Sequence, residues 1–521
     1  MCALDARRRE RTLAELAAAT EPLDVLVIGG GVTGTGVALD AATRGLRVAL
    51  IEAEDLAFGT SRWSSKLVHG GLRYLAGGHL SIAYESAIER HHLMTTIAPH
   101  LIRPVRQVVP DIGSRRSSVL VRAGFAAGDV LRHMARTPST VLPGPSSISS
   151  AETRALCPTV RPDVRSAATT HDGQLVDDAR LVVALARTAA AFGAHICTRT
   201  RAEDVTGTGA RLTDMCTGQS VDVAARTVIN ATGVWAASVT RSLRVRPSRG
   251  THLVFDAATF GSPTGALTVP VGDSVSRFVF VLPEQLGRVY VGLTDVDAPG
   301  PIPEIPTASD EEIDFLIDAV NVALQQPVSR SEVLGTFSGL RPLIDPGDHQ
   351  NPGDDENASD TGDLADVSRR HQVTVTDGSL VSVIGGKLTT YRRMAQDAVD
   401  AAVRAGGLTA GACVTTATPL VGSAVAAAPP GIPDSMVRRF GAEAGKVAGI
   451  ARVRNPLAPI VDGIDVRRAE IEFALTHEGA LTVDDILHRR TRIGLVQRDA
   501  ERARDAVAEI VDECALRSPA Q

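Results

Sequence analysis

Residues 24–52 read DVLVIGGGVTGTGVALDAATRGLRVALIE, and the fold follows from this stretch. An apolar run, Val25 to Ile28, enters a glycine cluster in which Gly29, Gly31 and Gly34 fit the G-x-G-x-x-G template. A small-residue helix is expected from Thr35 to Thr43, closed by Gly45, and a second apolar run, Val48 to Ile51, ends at Glu52. Strand, helix and strand with a terminal acid make a complete βαβ dinucleotide unit. The glycines let backbone approach a pyrophosphate, and the helix N-terminus offers that anion N–H groups and a positive dipole end. Glu52 can accept both hydroxyls of a ribose diol and would repel a 2′-phosphate, which disfavours NADP.

The rest of the chain is ordinary in composition. It has 521 residues, 44% hydrophobic and 22% charged, with a net charge of −6. Length predicts two or three domains, and the charge gives no reason to expect nucleic acid. The six cysteines are scattered, with no C-x-x-C pair and no metal-ligand spacing, so reduced thiols in a cytoplasmic protein are expected and no metal. No apolar run is long enough to span a membrane.

Residues 1–21 form a charged segment expected to be a solvated helix. Residues 101–136 carry seven arginines against two acids, with apolar residues between them. Two readings stand: an interfacial segment touching an anionic membrane surface, or a surface helix with an apolar face toward the core. DDARLVVALARTAAAFGAHI (177–196) predicts a helix running into a strand, and RTVINATGVWA (226–236) a buried strand meeting a turn. Residues 250–256 and 277–295 alternate like antiparallel strands. Residues 345–366 hold eight acids and no Lys or Arg, predicting a solvated loop. A Pro-rich linker after Ala410 leads to a helical tail.

Three further glycine approaches follow the fingerprint. SSKLVHGGLRYL (64–75) sets Lys66, His69, Arg73 and Tyr74 around a glycine pair; on pattern alone, a loop-capping histidine and a surface arginine remain the simpler account. NATG (230–233) ends a buried strand with Ala231 and Gly233. IGGKLTTYR (384–392) puts Gly386 and Lys387 at a helix N-terminus. One fingerprint with three more backbone approaches predicts a large enclosed cofactor, FAD rather than a diffusible NAD. FSGLRPL places Arg341 on a wall facing the same pocket.

GGGVTGTG (29–36), FGTSRWSSKLVHGGLRYL (58–75), GLTDV (292–296), SGLRPL (338–343), IGGKLTTYR (384–392) and DDILHRRTRIGL (484–495) together resemble the FAD-dependent glycerol-3-phosphate dehydrogenases. The resemblance covers residues 22–515. It implies an α/β chain with a Rossmann-like FAD-binding domain of the D-amino-acid-oxidase/glutathione-reductase type, interleaved with an antiparallel-sheet substrate domain and followed by a C-terminal all-α domain. The expected boundaries are 22–410 for the oxidoreductase (FAD part about 22–98, 166–245 and 335–410; cap about 99–165 and 246–334) and 411–521 for the helical domain.

The implied reaction is oxidation of glycerol 3-phosphate to dihydroxyacetone phosphate, with electrons passed to membrane quinone. The implied setting is the inner face of the plasma membrane, bound peripherally, with a homodimer admitted. An oxidase using O2, or a same-fold oxidase of an amine or hydroxy acid, are the alternatives. By resemblance, Gly29, Gly31, Gly34 and Glu52 hold the ADP half of FAD. Thr60, Ser61, Ser65, Lys66 and Leu67 match the loop beside the pyrophosphate and isoalloxazine; Lys387, Leu388 and Thr389 match the loop near the flavin's O2 edge. Arg73, Tyr74, Arg341 and Lys387 match the anion side of the substrate pocket, with Thr294 on its wall. His69 and His252 match histidines near the flavin, and His69 is favoured over His252 as the base. The chain departs from the family's usual G-T-T-D at Gly292–Asp295, where Leu293 replaces a hydroxyl, and in the length of the acidic insert.

Overall fold

The computed structural model describes residues 3–71, 75, 79–112, 115–272, 277–344, 370–424 and 429–517. The acidic 345–366 insert, Arg73 and Tyr74 lie outside the described residues.

Two large sheets are built side by side. The first has the strand order Gln372–Thr376, Leu380–Ile384, Ser220–Asn230, Leu23–Ile28, Val48–Ile51, His195–Cys197. All neighbours are parallel except the first pair. Val25 to Ile28 are buried on both faces, as a continuous Val/Ile/Leu run in the middle of a parallel sheet should be. A hairpin, Thr200–Thr206 with Gly209–Asp214, joins the N-terminal half of Ser220–Asn230. Helix Val32–Thr43 leaves the fingerprint and packs against helices Asp178–Ala191 and Tyr391–Ala405. These contacts need small residues: a Cβ on Gly36 would come within 2.8 Å of the Tyr391 ring.

The second sheet is mostly antiparallel and runs Val296–Asp297, Val245–Asp256, Arg288–Gly292, Phe278–Glu284, Ala266–Pro270, Ile102–Pro110, Ser166–Leu175, Leu67–Val68. Strand Gly335–Ile344 also pairs with Val245–Asp256, in register from Val245 opposite Ile344 to Val254 opposite Gly335. The amphipathic helix Asp310–Asn321 covers one face, burying Leu316, Ile317 and Val320 against Leu253, Phe255, Val279 and Val281.

The expected sub-boundaries need correction here. Ser166–Leu175, Gly335–Ile344 and Leu67–Val68 all fall in stretches assigned to the FAD part, yet all three hydrogen-bond into the second sheet. Strand pattern reports burial, not which sheet a strand joins. The 101–136 segment is likewise not one element. Its first third is strand Ile102–Pro110, and the helix is Arg115–Met134. The N-terminal helix, Ala6–Ala18, is not simply solvated either. Arg9 is buried, donates to the Thr198 carbonyl at 2.6 Å and pairs with Asp214, and Leu16 joins the core beside Leu23 and Leu26.

The C-terminal part is helical, with helices Asp434–Phe440, Ala444–Ile450, Arg468–His477 and Gln497–Leu516 around two small cores of its own. It is locked to the first sheet by buried ion pairs. Asp55 receives Arg490 through two bonds of 2.8 and 2.9 Å and Arg489 at 2.5 Å, while Arg180 grips Glu478 at 2.8 Å. Burial alone would raise the Asp55 carboxyl, but Arg490 and Arg489 outweigh it and hold the group below its ordinary range.

Candidate active site

A cavity of about 1500 Å³ runs from the fingerprint across the join between the two sheets. At its nucleotide end, Gly29 has φ +111°, and a Cβ there would sit 2.6 Å from the Ala231 carbonyl oxygen. A Cβ on Gly34 would lie 1.9 Å from the Gly29 oxygen. Gly34 therefore lets the helix start close under the turn, and it is not itself in the cavity wall. Gly31 is, and the N–H of Val32 behind it is accepted by Ser61 Oγ at 2.9 Å. Glu52 lines the cavity with its oxygens accepting from Gly30 N at 2.6 Å and Glu54 N at 2.8 Å. Each oxygen keeps lone pairs for a ribose hydroxyl. Burial pushes the Glu52 carboxyl up to about 7.

The middle of the cavity is backbone. Ala231 and Gly233 follow the strand end, and Gly385 and Gly386 take φ +77° and +71° before Lys387, Leu388 and Thr389. A side chain at Gly386 would meet Met394 Sδ at 2.5 Å. These residues stand at the N-terminal end of the helix that continues as Tyr391–Ala405, so a positive dipole end faces the cavity. Thr60, Ser61, Ser65 and Leu67 form the opposite wall, although the Thr60 hydroxyl is committed to the Leu340 carbonyl at 2.6 Å. Lys387 donates to Ser86 Oγ. A close-approach turn, a buried ribose acceptor and two further glycine approaches along one long cavity fit an enclosed FAD.

The far end holds the candidate chemistry. His69, His252, Thr294, Asp295 and Arg341 all line it. His252 is 1% exposed, stacks on Phe337 with ring centroids 4.7 Å apart, and has Nε2 2.8 Å from Ser65 Oγ. Its pKa is well below the ordinary imidazole value, first through burial and then through Lys66 and Arg341, so the ring is neutral at pH 7. Arg341 Nη1 donates to Asp295 Oδ1 at 3.0 Å and Ser248 Oγ at 3.2 Å, and Nη2 to the Thr294 carbonyl at 3.2 Å. The guanidinium is thus held through both terminal nitrogens, on the strand that pairs with Val245–Asp256.

The polar groups of two expected residues are engaged by the protein itself. The Lys66 ammonium does not face the cavity. It lies buried behind the wall, 3.0 Å from Asp178 Oδ2 and over the Phe337 ring at 4.9 Å, with its backbone at φ +58°. The Thr294 hydroxyl donates to Glu312 at 2.6 Å and accepts from Thr251 N at 2.9 Å. Glu312 also takes Arg249 and Thr251, so it organises the floor of the site. Glu312, Asp295, Ser248 and the Asp177–Asp178 pair were not singled out from sequence. Glu312 announces itself only as the fourth position of a Ser309 capping box, which predicts a helix start and nothing about the strand it touches.

Comparison with known proteins agrees with this geometry. The FAD dependent oxidoreductase profile matches residues 24–392, and that of the C-terminal domain of alpha-glycerophosphate oxidase matches 413–520. Glycerol-3-phosphate dehydrogenase 1 of Mycobacterium tuberculosis is 55% identical over 508 residues, covering 96% of each chain. A mitochondrial glycerol-3-phosphate dehydrogenase of Arabidopsis thaliana is 34% identical, over 95% of this chain and 83% of its own. The glycerol-3-phosphate dehydrogenase of Bacillus halodurans, solved in complex with FAD, has the same fold, with a TM-score of 0.71 at 23% identity over 98% of this chain and 94% of that one. Matched along nearly its whole length, the chain belongs to the FAD-dependent glycerol-3-phosphate dehydrogenases.

Proposed function

We propose that the protein oxidises sn-glycerol 3-phosphate to dihydroxyacetone phosphate and delivers the electrons to membrane quinone from the inner face of the plasma membrane. The observation that carries the substrate is the pairing, in one cavity, of a neutral buried imidazole with an anchored guanidinium. A phosphate dianion suits the planar fork of Arg341. The secondary alcohol then lies toward His252 and His69, one of which takes the hydroxyl proton as the C2 hydride leaves. FAD, when bound, supplies the two-electron acceptor for that hydride.

Nearby cations lower an imidazole pKa and so keep the ring ready as an unprotonated base. Lys66 and Arg341 both act on His252, and Ser65 fixes its orientation. We therefore favour His252 as the base, with His69 lining the same end.

The case for a quinone rests on helix Arg115–Met134. Leu120, Val121 and Phe125 line the cavity, while Val119, Val130 and Met134 on the same helix are exposed, as are Leu80 and Tyr84 of helix Leu80–His92, which packs against it. An apolar element between cavity and solvent favours an apolar acceptor and a shallow seat on a bilayer. Among the described residues no helix is long and apolar enough to cross a membrane, so attachment would be peripheral.

The deciding experiment is anaerobic titration of the yellow holoenzyme with glycerol 3-phosphate, glycerol and lactate. Bleaching by the phosphate ester alone is expected; bleaching by lactate or by none would remove this substrate. Reoxidation by a short-chain quinone faster than by air, without stoichiometric peroxide, is expected for the acceptor.

A further inference from the structure

The loop that presents Ser65 to His252 has no regular structure after Arg62, yet every residue in it is tied down from behind. The Trp63 indole stacks on Phe337, with ring centroids 5.9 Å apart, and the Arg62 guanidinium lies 4.3 Å from the indole ring. Ser64 gives both its N–H and its hydroxyl to Asp178 Oδ2, at 2.9 and 2.8 Å, and Lys66 gives its ammonium to the same oxygen at 3.0 Å. Lys66 Nζ also reaches the Arg62 carbonyl at 3.2 Å. Ser65 lines the cavity and sets its hydroxyl on His252 Nε2.

The last tie comes from the C-terminal domain. Arg492, in the DDILHRRTRIGL motif, is 2% exposed and has its backbone in the left-handed region at φ +63°. Its Nη2 donates to the Arg62 carbonyl at 2.5 Å, its Nε stands 3.1 Å from Asp177 Oδ2, and its carbon centre lies 5.2 Å from the Trp63 ring. Nη1 is held by the His488 carbonyl at 2.8 Å. One side chain from a different domain therefore contacts the loop's first carbonyl, its aromatic anchor and the acid pair that binds the rest of it. Nothing in docking the domain requires this, since Asp55 with Arg489 and Arg490, and Glu478 with Arg180, already hold the two parts together.

We propose that Arg492 is a positioning residue for the reaction: acting through Asp177, Asp178 and Lys66, it holds loop 62–65 so that Ser65 Oγ stays on His252 Nε2, which makes the C-terminal domain a working part of the active site. The kinetic part rests on His252 acting on the substrate alcohol; the geometric part does not. A misplacement of about 1 Å at a proton-transfer site can cost on the order of a hundredfold in rate, so a support this direct should register.

The test uses full-length holoenzyme with ¹⁵N-labelled histidine, the His252 ring signals being assigned with His252→Asn. In Arg492→Met the His252 ring signals should move. Reduction by glycerol 3-phosphate should slow by on the order of tenfold or more with KM little changed and FAD retained. Added guanidinium should restore part of both. Arg439→Gln loosens the C-terminal core by breaking the Arg439–Glu470 pair without touching the loop, and should leave the ring signals in place. Unmoved His252 signals in Arg492→Met, or the same change in Arg439→Gln, would overturn the proposal. If Arg492→Met does not accumulate, Ser64→Ala decides: it removes one of the loop's bonds to Asp178, and unchanged ring signals would overturn the strut equally. Moved signals with no bleaching by glycerol 3-phosphate, even in the parent enzyme, would retire the substrate reading and leave the strut standing.

Discussion

At the scale of single residues, the site works by opposing charges of modest reach. Arg341 is anchored by Asp295, Ser248 and a backbone carbonyl, so its guanidinium is held ready before any substrate arrives. Arg341→Ala should therefore raise KM for glycerol 3-phosphate by about thirtyfold or more, the factor for losing ~2 kcal/mol of charge-assisted binding, with the flavin spectrum intact. Steady-state kinetics on the yellow variant check this; an unchanged KM removes Arg341 from the phosphate. His252 gives a pH prediction. Its folded pKa lies well below 6.5, through burial, Lys66 and Arg341, so the imidazole stays unprotonated as pH falls past the point where an ordinary histidine titrates. The acid limb of kcat/KM should lie below pH 6.5. A bound dianion would cancel part of the field from Arg341, so the limb of kcat should lie at higher pH than that of kcat/KM. His252→Asn should abolish this limb and His69→Asn should not; the reverse would return the base to His69. The glycines and Glu52 were legible because their spacing is local and their chemistry is that of the backbone. Asp178, Glu312 and Asp295 were not, because each matters through a partner far along the chain: Lys66 lies 112 positions from Asp178.

At the scale of elements, helix Arg115–Met134 shows how a compositional reading overreaches. Seven arginines in 101–136 left two readings, a basic interfacial segment or a surface helix with an apolar face toward the core. Arg103 and Arg106 instead sit on a strand, bonded to Gln174 and Ser146 at 3.1 and 2.9 Å. Arg122 pairs with Asp111, and Arg132 with Asp129, each at 2.6 Å. Membrane binding through this helix should then depend more on its apolar ridge than on these arginines. Val130→Asp with Met134→Glu should weaken sedimentation with anionic vesicles about tenfold, the factor for losing burial of roughly one apolar side chain. Neutralising Arg122 should do much less. Vesicle binding that survives the double change would put the contact elsewhere, the helical tail being the other candidate. The fingerprint helix is the opposite case. Its strand, turn and helix stood at nearly their expected residues because period, glycines and terminal acid all agree over one short stretch.

The whole molecule is held by charges that were placed without water around them. Two histidines lie where the domains meet. His488 is brought to about 4 by burial and then by Arg62 and Arg489, and His100 to about 4 by burial and then by Arg180. In the unfolded chain both titrate near 6.5, so between pH 6.5 and 4 the unfolded state binds more protons. The contribution of these two histidines is complete above 6.5 and falls as pH drops, by up to about 1.4 kcal/mol per pH unit for each proton the unfolded state takes up. His488→Asn removes one of these proton uptakes, so the melting temperature from pH 6.5 to 4 should fall less in the variant than in the parent; a curve of unchanged slope would discount this histidine. The domain order was readable from the sequence, and the threading between the two sheets was not. Val48–Ile51, Leu67–Val68, His195–Cys197, Val245–Asp256 and Gln372–Thr376 follow one another along the chain and lie alternately in the first and the second sheet. The two layers are therefore sewn together with one thread. Such a body has no seam along which the substrate half can be exchanged for another, as a module on a linker can. Its descendants would be expected to change chemistry by replacing side chains along the shared rim and by lengthening the turns between stitches, with the cofactor cradle carried along unaltered.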